Sequence, residues 1–198
     1  METEAVGPFT VLVVEDEATH QLLIRKALTQ EGAPFSLVQF TRDSEEAVRF
    51  ARQMSFDVML VDNRIPGTRG LDLLTELREA GVTAPFVLMT SAGSEDLVVQ
   101  AYRQKVDEYV IKDSGFWREL TAILLRVIAA DKGKKREAEL HARFERTNAK
   151  LERLHAEVEA RSVAAREKLV ELRGALSGLE PRTGEALRRV VEELEALL

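Results

Sequence analysis

Val58-Met59-Leu60-Val61-Asp62 constrains this chain more than any other stretch. Four consecutive apolar residues make a strand buried on both faces, which in an α/β protein is a central parallel strand. A carboxylate stands at its carboxyl end, and Pro66-Gly67 follows with the chemistry of a tight turn. Ligands of open parallel sheets bind in the crevice at the strand carboxyl ends, so Asp62 is placed for chemistry. Taken alone, such an aspartate is more simply a turn cap. The rest of the chain decides between the two.

Comparable runs recur. Thr10 to Val14 is a short apolar strand ending in Glu15-Asp16-Glu17, and Phe35 to Phe40 alternates as a second strand. Phe86 to Thr90 follows Pro85 as a fourth, and Glu108 to Lys112 is a short fifth. Amphipathic stretches lie between them. Leu22, Leu23, Ala27 and Leu28 fall at helical spacing between Ala18 and Glu31, with Gly32 as the stop. Ser44 is the expected N-cap of a second helix carrying Ala47, Val48, Ala51 and Met54 on one face. A third runs from Leu71 to Ala80 and closes on Gly81; a fourth runs from Ser94 or Glu95 through Lys105. Another helix starts after Asp113-Ser114-Gly115. Five strands alternating with five helices, with connections long enough for right-handed crossovers, predict a doubly wound α/β domain around a five-stranded parallel sheet.

Charge marks where that domain ends. Residues 1–130 carry 13 Lys and Arg against 20 Asp and Glu, whereas residues 131–198 carry 15 against 14 at much higher density. The expected division is therefore 1–130 for the α/β domain, 131–180 for a long charged helix and 181–198 for a short amphipathic one. An acidic front half and a rear without a basic stripe argue against nucleic acid as a partner. The chain has no cysteine, which excludes disulfides, thiolate zinc sites and thiol nucleophiles. No secretory signal is legible at the amino terminus, and no apolar run approaches the ~20 residues that span a membrane. A cytoplasmic protein without membrane contact is the expectation.

The strand ends carry the chemistry. The first ends in Glu15-Asp16, the third in Asp62, the fourth in Thr90-Ser91 and the fifth in Lys112, and a doubly wound sheet turns all four toward one crevice. Three crowded carboxylates repel one another and call for a cation. Hard oxygen donors with room for water suit Mg²⁺. Lys112 adds a mobile positive charge and Thr90 a hydroxyl, so the set can stabilise a tetrahedral anion on Asp62.

Glu15-Asp16, Asp62 with Ile65-Pro66-Gly67, Thr90, Tyr109 and Lys112 together resemble the receiver domain of bacterial two-component response regulators, over residues 9–130. The resemblance implies a flavodoxin-like receiver fold and a phosphoacceptor role for Asp62, with a histidine kinase as the donor partner. It further implies that Asp16 binds Mg²⁺ directly, with Glu15 acting through water, Asp62 itself, and the backbone carbonyl of Arg64 completing the protein ligands. Lys112 would pair with the phosphoryl oxygens. Thr90 would move toward the phosphate and Tyr109 turn inward behind it, altering the face formed by the fourth helix, fifth strand and fifth helix. Three positions depart from the common pattern. Asp113 follows Lys112 where proline is frequent, which leaves a cis peptide there less assured. Ser91 stands where a smaller residue is common, and Arg64 places a long cation at the mouth of the site.

From Phe116 onward no proline interrupts the chain until Pro181, and Lys132-Gly133-Lys134-Lys135 is the one weak point, expected as a flexible join. Leu140, Phe144, Thr147, Leu151, Leu154 and Val158 alternate at spacings of four and three. The pattern slips there and resumes as Ser162, Ala165, Leu169, Leu172, Leu176 and Leu179, a stutter that locally unwinds a left-handed supercoil. So narrow an apolar stripe on so charged a helix wants a partner helix, and a parallel homodimeric coiled coil is expected. Gly174, Gly178 and Pro181 are expected to break the helix. Thr183 to Leu198 then forms a last helix that folds back or binds another protein. His141 and His155 lack the surroundings of a kinase phosphoacceptor and belong to the solvated face. Glu145-Arg146-Thr147-Asn148 has the form of a receiver-directed phosphatase motif, a cheap match in a charged helix. The expected protein is a non-enzymatic response regulator whose output is contact with a downstream protein. The alternative is the receiver and linker of a larger sensor kinase or other multidomain enzyme.

Overall fold

The computed structural model describes residues 8–176 and 189–193. The chain divides into two compact units, Met1–Lys135 and Arg136–Leu198. The first is built as β1 (Phe9–Val14), α1 (Ala18–Leu28), β2 (Phe35–Thr41), α2 (Ser44–Gln53), β3 (Val58–Asp62), β4 (Arg64–Ile65), β5 (Thr68–Arg69), α3 (Gly70–Glu79), β6 (Phe86–Thr90), α4 (Glu95–Arg103), β7 (Glu108–Ile111) and the start of α5 (Phe116–Leu176). Five strands form one parallel sheet in the order β2-β1-β3-β6-β7. From β1 the chain goes outward to β2 and then crosses to the other side for β3, β6 and β7. The order therefore reverses between β1 and β3, the place where doubly wound sheets open a crevice at their carboxyl ends.

The two-residue period of a strand sorts the core into two layers. Leu12, Val14, Met59, Val61, Phe86 and Leu88 pack with α2, α3 and α4 through Ala47, Leu74 and Ala101. Val11, Val13, Val58, Leu60, Val87 and Met89 pack with α1 and α5 through Ile24, Leu28, Leu120 and Leu124. Both faces of β3 are covered, and all five of its residues are buried. Each fully buried Leu or Phe contributes about 2 kcal/mol, so the strand that carries Asp62 is held more firmly than an edge strand.

The expected elements are present, with shifted ends. Asp43, not Ser44, caps α2: its carboxylate accepts a hydrogen bond from the Glu46 N–H at 2.8 Å, and Ser44 is the first helical residue. Either side chain suits an N-cap, and the carboxylate also faces the positive end of the helix. Ser94 caps α4 as expected, accepting from the Leu97 N–H at 3.2 Å. Helix α1 ends at Leu28 and α4 at Arg103, short of Glu31 and Lys105; Lys105 takes φ +57°. The small antiparallel pair β4–β5, turning through Pro66-Gly67 with Gly67 at φ +81°, is an addition to the expected elements. No peptide bond is cis among the described residues, and that between Lys112 and Asp113 is trans.

Helix α5 runs unbroken through residues 132–135, so the expected flexible join is helical. In the first unit, Lys132 lies 4.4 Å from the centre of the Phe9 ring and Lys134 lies 3.5 Å from Asp107. These contacts hold the helix through its glycine. In the second unit Leu140, Phe144, Leu151, Leu154 and Val158 are between 48% and 65% exposed. Leu169 and Val191 bury each other, which brings the helical residues 189–193 back onto α5. Gly178, Pro181 and most of the expected last helix lie outside the described residues. No described helix is long and apolar enough to cross a membrane.

Candidate functional site

The carboxyl ends of β1 and β3 flank the reversal of strand order, and each delivers acidic groups to it. Glu15 and Asp16 leave β1, Asp62 ends β3, and each offers a carboxylate oxygen within 4.8 Å of the others. Glu15 is fully buried, Asp62 is 6% exposed and Asp16 is exposed. Burial pushes the Glu15 carboxyl above its ordinary value, against the opposing pull of the Lys112 ammonium.

Lys112 follows β7 and returns across the sheet to the same point. Its ammonium donates to Asp62 Oδ2 at 2.6 Å and to Glu15 Oε2 at 2.9 Å, and its side chain is 1% exposed. The backbone carries it there: the Lys112 N–H donates to the Thr90 carbonyl at 2.8 Å, extending the β6–β7 pairing by one residue. Three carboxylates against one ammonium leave two negative charges in the cluster. A divalent cation held by hard oxygens matches that deficit, and Mg²⁺ fits the donor set.

The other oxygen of Asp62, Oδ1, accepts the Arg64 N–H at 3.2 Å, which orients the carboxylate from the turn side. Thr90 is buried, and its hydroxyl donates to the Ala92 carbonyl at 3.0 Å. Asp62 pairs in register with Met89, so Thr90 stands one residue beyond it on the neighbouring strand. The Tyr109 hydroxyl is buried without a hydrogen-bond partner, and desolvation pushes its pKa up. A Cβ added at Gly93 would lie 3.5 Å from that hydroxyl. The Tyr109 side chain is therefore turned inward.

Two site residues escape a reading of the sequence. A Cβ at Gly70 would lie 2.6 Å from the Asp62 carbonyl and 2.8 Å from Leu88 Cδ1, so α3 can start against the end of β3 only with glycine there. His20, in the first turn of α1, puts Nδ1 3.2 Å from Lys112 Nζ, 3.3 Å from Glu15 Oε1 and 3.1 Å from Glu17 Oε2. An i+5 spacing from Glu15 was the available signal, and it means something only once β1 is known to hand over directly to a helix. His141 and His155 in the second unit are exposed and lie near Glu145 and Glu159, one helical turn away. Asn148 is half-buried on the same helix.

The family described as response regulator receiver domain matches residues 11–124. The two-component response regulator PhoP of Pseudomonas aeruginosa is 34% identical over 123 residues, covering 62% of this chain and 53% of that protein. The transcriptional regulatory protein ResD of Bacillus subtilis is 30% identical over 102 residues, covering 52% of this chain and 41% of that protein. A CheY-like response regulator receiver domain protein from Methanospirillum hungatei JF-1 has the same fold, with a TM-score of 0.58 and 18% identity over 65% of this chain and 99% of its own. The chain spans about half the length of the curated relatives it matches.

Proposed function

The chain belongs to the response regulator receiver family of two-component signalling, and from that premise we propose that Asp62 is its phosphoacceptor. The observation that carries this reading is the Lys112 ammonium drawn 2.6 Å from Asp62 and 2.9 Å from Glu15 at the reversal of strand order. A carboxylate oxygen of Asp62 attacks the phosphorus of a phosphohistidine on a cognate kinase, the P–N bond breaks, and an acyl phosphate forms. When bound, Mg²⁺ would be held by Asp16, Asp62 and the backbone carbonyl of Arg64, with Glu15 acting through water, and would supply positive charge to the phosphoryl oxygens.

Lys112 transfers its pairing from Asp62 to a phosphoryl oxygen. The Thr90 hydroxyl gives up the Ala92 carbonyl for another, and with Tyr109 it forms the switch that reports the new state. The output is a protein contact rather than DNA binding or catalysis, carried in the cytoplasm by a parallel homodimer through the α5 stripe. The exposed Leu140, Phe144, Leu151, Leu154 and Val158 support that assembly, because a second copy would bury what one chain leaves in water. A downstream protein would then read the paired helices.

Incubating the full chain with acetyl phosphate and Mg²⁺ should add one phosphoryl group per chain, and Asp62→Asn should abolish the addition. Undiminished labelling of that variant would overturn the assignment.

A further inference from the structure

One face of a helix can take only one cover at a time, and the two ends of the α5 stripe stand differently. Leu140, Phe144, Leu151, Leu154 and Val158 are each at least 48% exposed. Leu169, on the pattern that resumes beyond the stutter, is 7% exposed, and so is Val191, against which it packs. Burial begins before that contact. Ser162 and Ala165, which precede Leu169 on the same face, are half-buried, whereas Ala156, Ala160 and Ala164 on the other side of the helix are exposed. We infer that the stripe is divided between two occupants. The chain's own residues 189–193 take it at Leu169, and a second copy takes it from Leu140 to Val158, where the shared seam stops.

Leu169 has no surface left to offer a second helix, and knobs-into-holes packing needs each seam residue open to its partner. Val191 lies 22 residues further along the same chain. So short a tether keeps it at an effective concentration on the order of millimolar, which a second chain at micromolar concentration does not match. Leu172, one turn beyond, is 52% exposed, a single open residue rather than a continuing seam. The stutter falls at the same boundary: two successive spacings of four, Leu154 to Val158 to Ser162, turn the stripe out of register just where the cover changes.

The open part suits a second copy. Residues 140–158 carry four Lys and Arg against three Glu, so like helices meet without strong net repulsion. They make about 28 Å of helix, and Thr147 is the polar member of the seam. The dimer is thus held along a short stretch, with the far part of each helix closed by its own chain. The shared seam rests on the homodimer proposed above; the return onto Leu169 does not.

The chain has no cysteine, so introduced ones report without background. Full-length unphosphorylated protein at micromolar concentration is treated with a short thiol-specific cross-linker, and the products are identified by mass. Leu154→Cys should join two chains. Leu169→Cys should leave the chains separate, and so should Ala165→Cys, a smaller change that spares the contact with Val191. Leu169→Cys combined with Val191→Cys should link within one chain. Joining of chains through position 165 or 169, or linkage of the double variant between chains rather than within one, overturns the inference. If Leu154→Cys leaves the chains separate while the double variant links internally, the homodimer and its seam are overturned and the return onto Leu169 stands.

Discussion

The sheet and the long helix are both written in apolar periodicity, yet they treat their apolar residues in opposite ways. In the first unit, alternate residues of β1, β3 and β6 disappear into two layers closed by the chain's own helices. In the second, Leu140, Phe144, Leu151, Leu154 and Val158 repeat just as regularly and stay open to water. A strand pattern of period two within a βαβ series specifies its own cover. A stripe spaced by four and three on one helix does not specify a cover. The first region therefore buries its apolar residues against its own helices, whereas the second leaves its stripe in water.

That contrast breaks most readily in the helix. Leu151→Glu removes an apolar side chain from the expected seam and places a charge there twice per dimer. Losing about 2 kcal/mol per chain should weaken dimerisation roughly a thousandfold. Light scattering on unphosphorylated full-length protein should report a dimer for the parent and a monomer for the variant at micromolar concentration. A parent that is already monomeric would remove the coil, and the stripe would need another partner.

Two glycines sharpen the same comparison through stability. At Gly70 a methyl group would meet the Asp62 carbonyl, Leu88 and the Asn63 backbone, none of which can retreat from a covered strand. Gly70→Ala should destabilise the protein by about 3 kcal/mol. At Gly133, inside α5, a methyl group would meet nothing within 4 Å, and Gly133→Ala should stabilise the helix by about 0.8 kcal/mol. Thermal melts of the two variants should move in opposite directions. Equal and small shifts would mean that β3 and α3 accommodate each other more loosely than the contacts require.

The same division governs what the sequence discloses. The strands were legible because each is a compact apolar run ending in a chemically distinctive residue. The positions of Glu15, Asp16, Asp62, Thr90 and Lys112 followed once the strands were ordered. The β4–β5 pair was not legible, since two-residue strands have no periodicity. Asp43 and Ser44 are adjacent and both suit an N-cap, so the sequence alone does not choose between them. Gly70 and His20 required contacts between elements: the first matters through the neighbouring strand, the second through a lysine 92 residues away. In the second unit the stripe was plain, but the pairing of Leu169 with Val191 depends on how the chain returns after the long helix.

A further effect concerns how long a phosphoryl group on Asp62 would survive. Hydrolysis of an acyl phosphate needs a water aligned behind the phosphorus and room for it to enter. Arg64 is exposed; its backbone N–H is tied to Asp62 Oδ1, while its side chain makes no hydrogen bond or ion pair among the described residues. It is thus free to lie across the mouth of the site and pair with a phosphoryl oxygen. Ala92 brings no side-chain amide or carboxylate to orient the water, and its backbone groups are engaged with the Thr90 hydroxyl. Ser91, next to Thr90 in the chain, is exposed. Obstruction by Arg64 and Ser91, with no helper at position 92, should outweigh any electrostatic aid that Arg64 gives the attack, so self-dephosphorylation should be slow. Replacing Arg64 by Asn and Ala92 by Glu together should shorten the phosphorylated lifetime about tenfold, or ~1.4 kcal/mol of barrier. The decay of label after removal of acetyl phosphate measures this directly. If the double variant decays no faster than the parent, Arg64 is a solvated surface residue and the lifetime is set deeper, at Lys112 and Thr90.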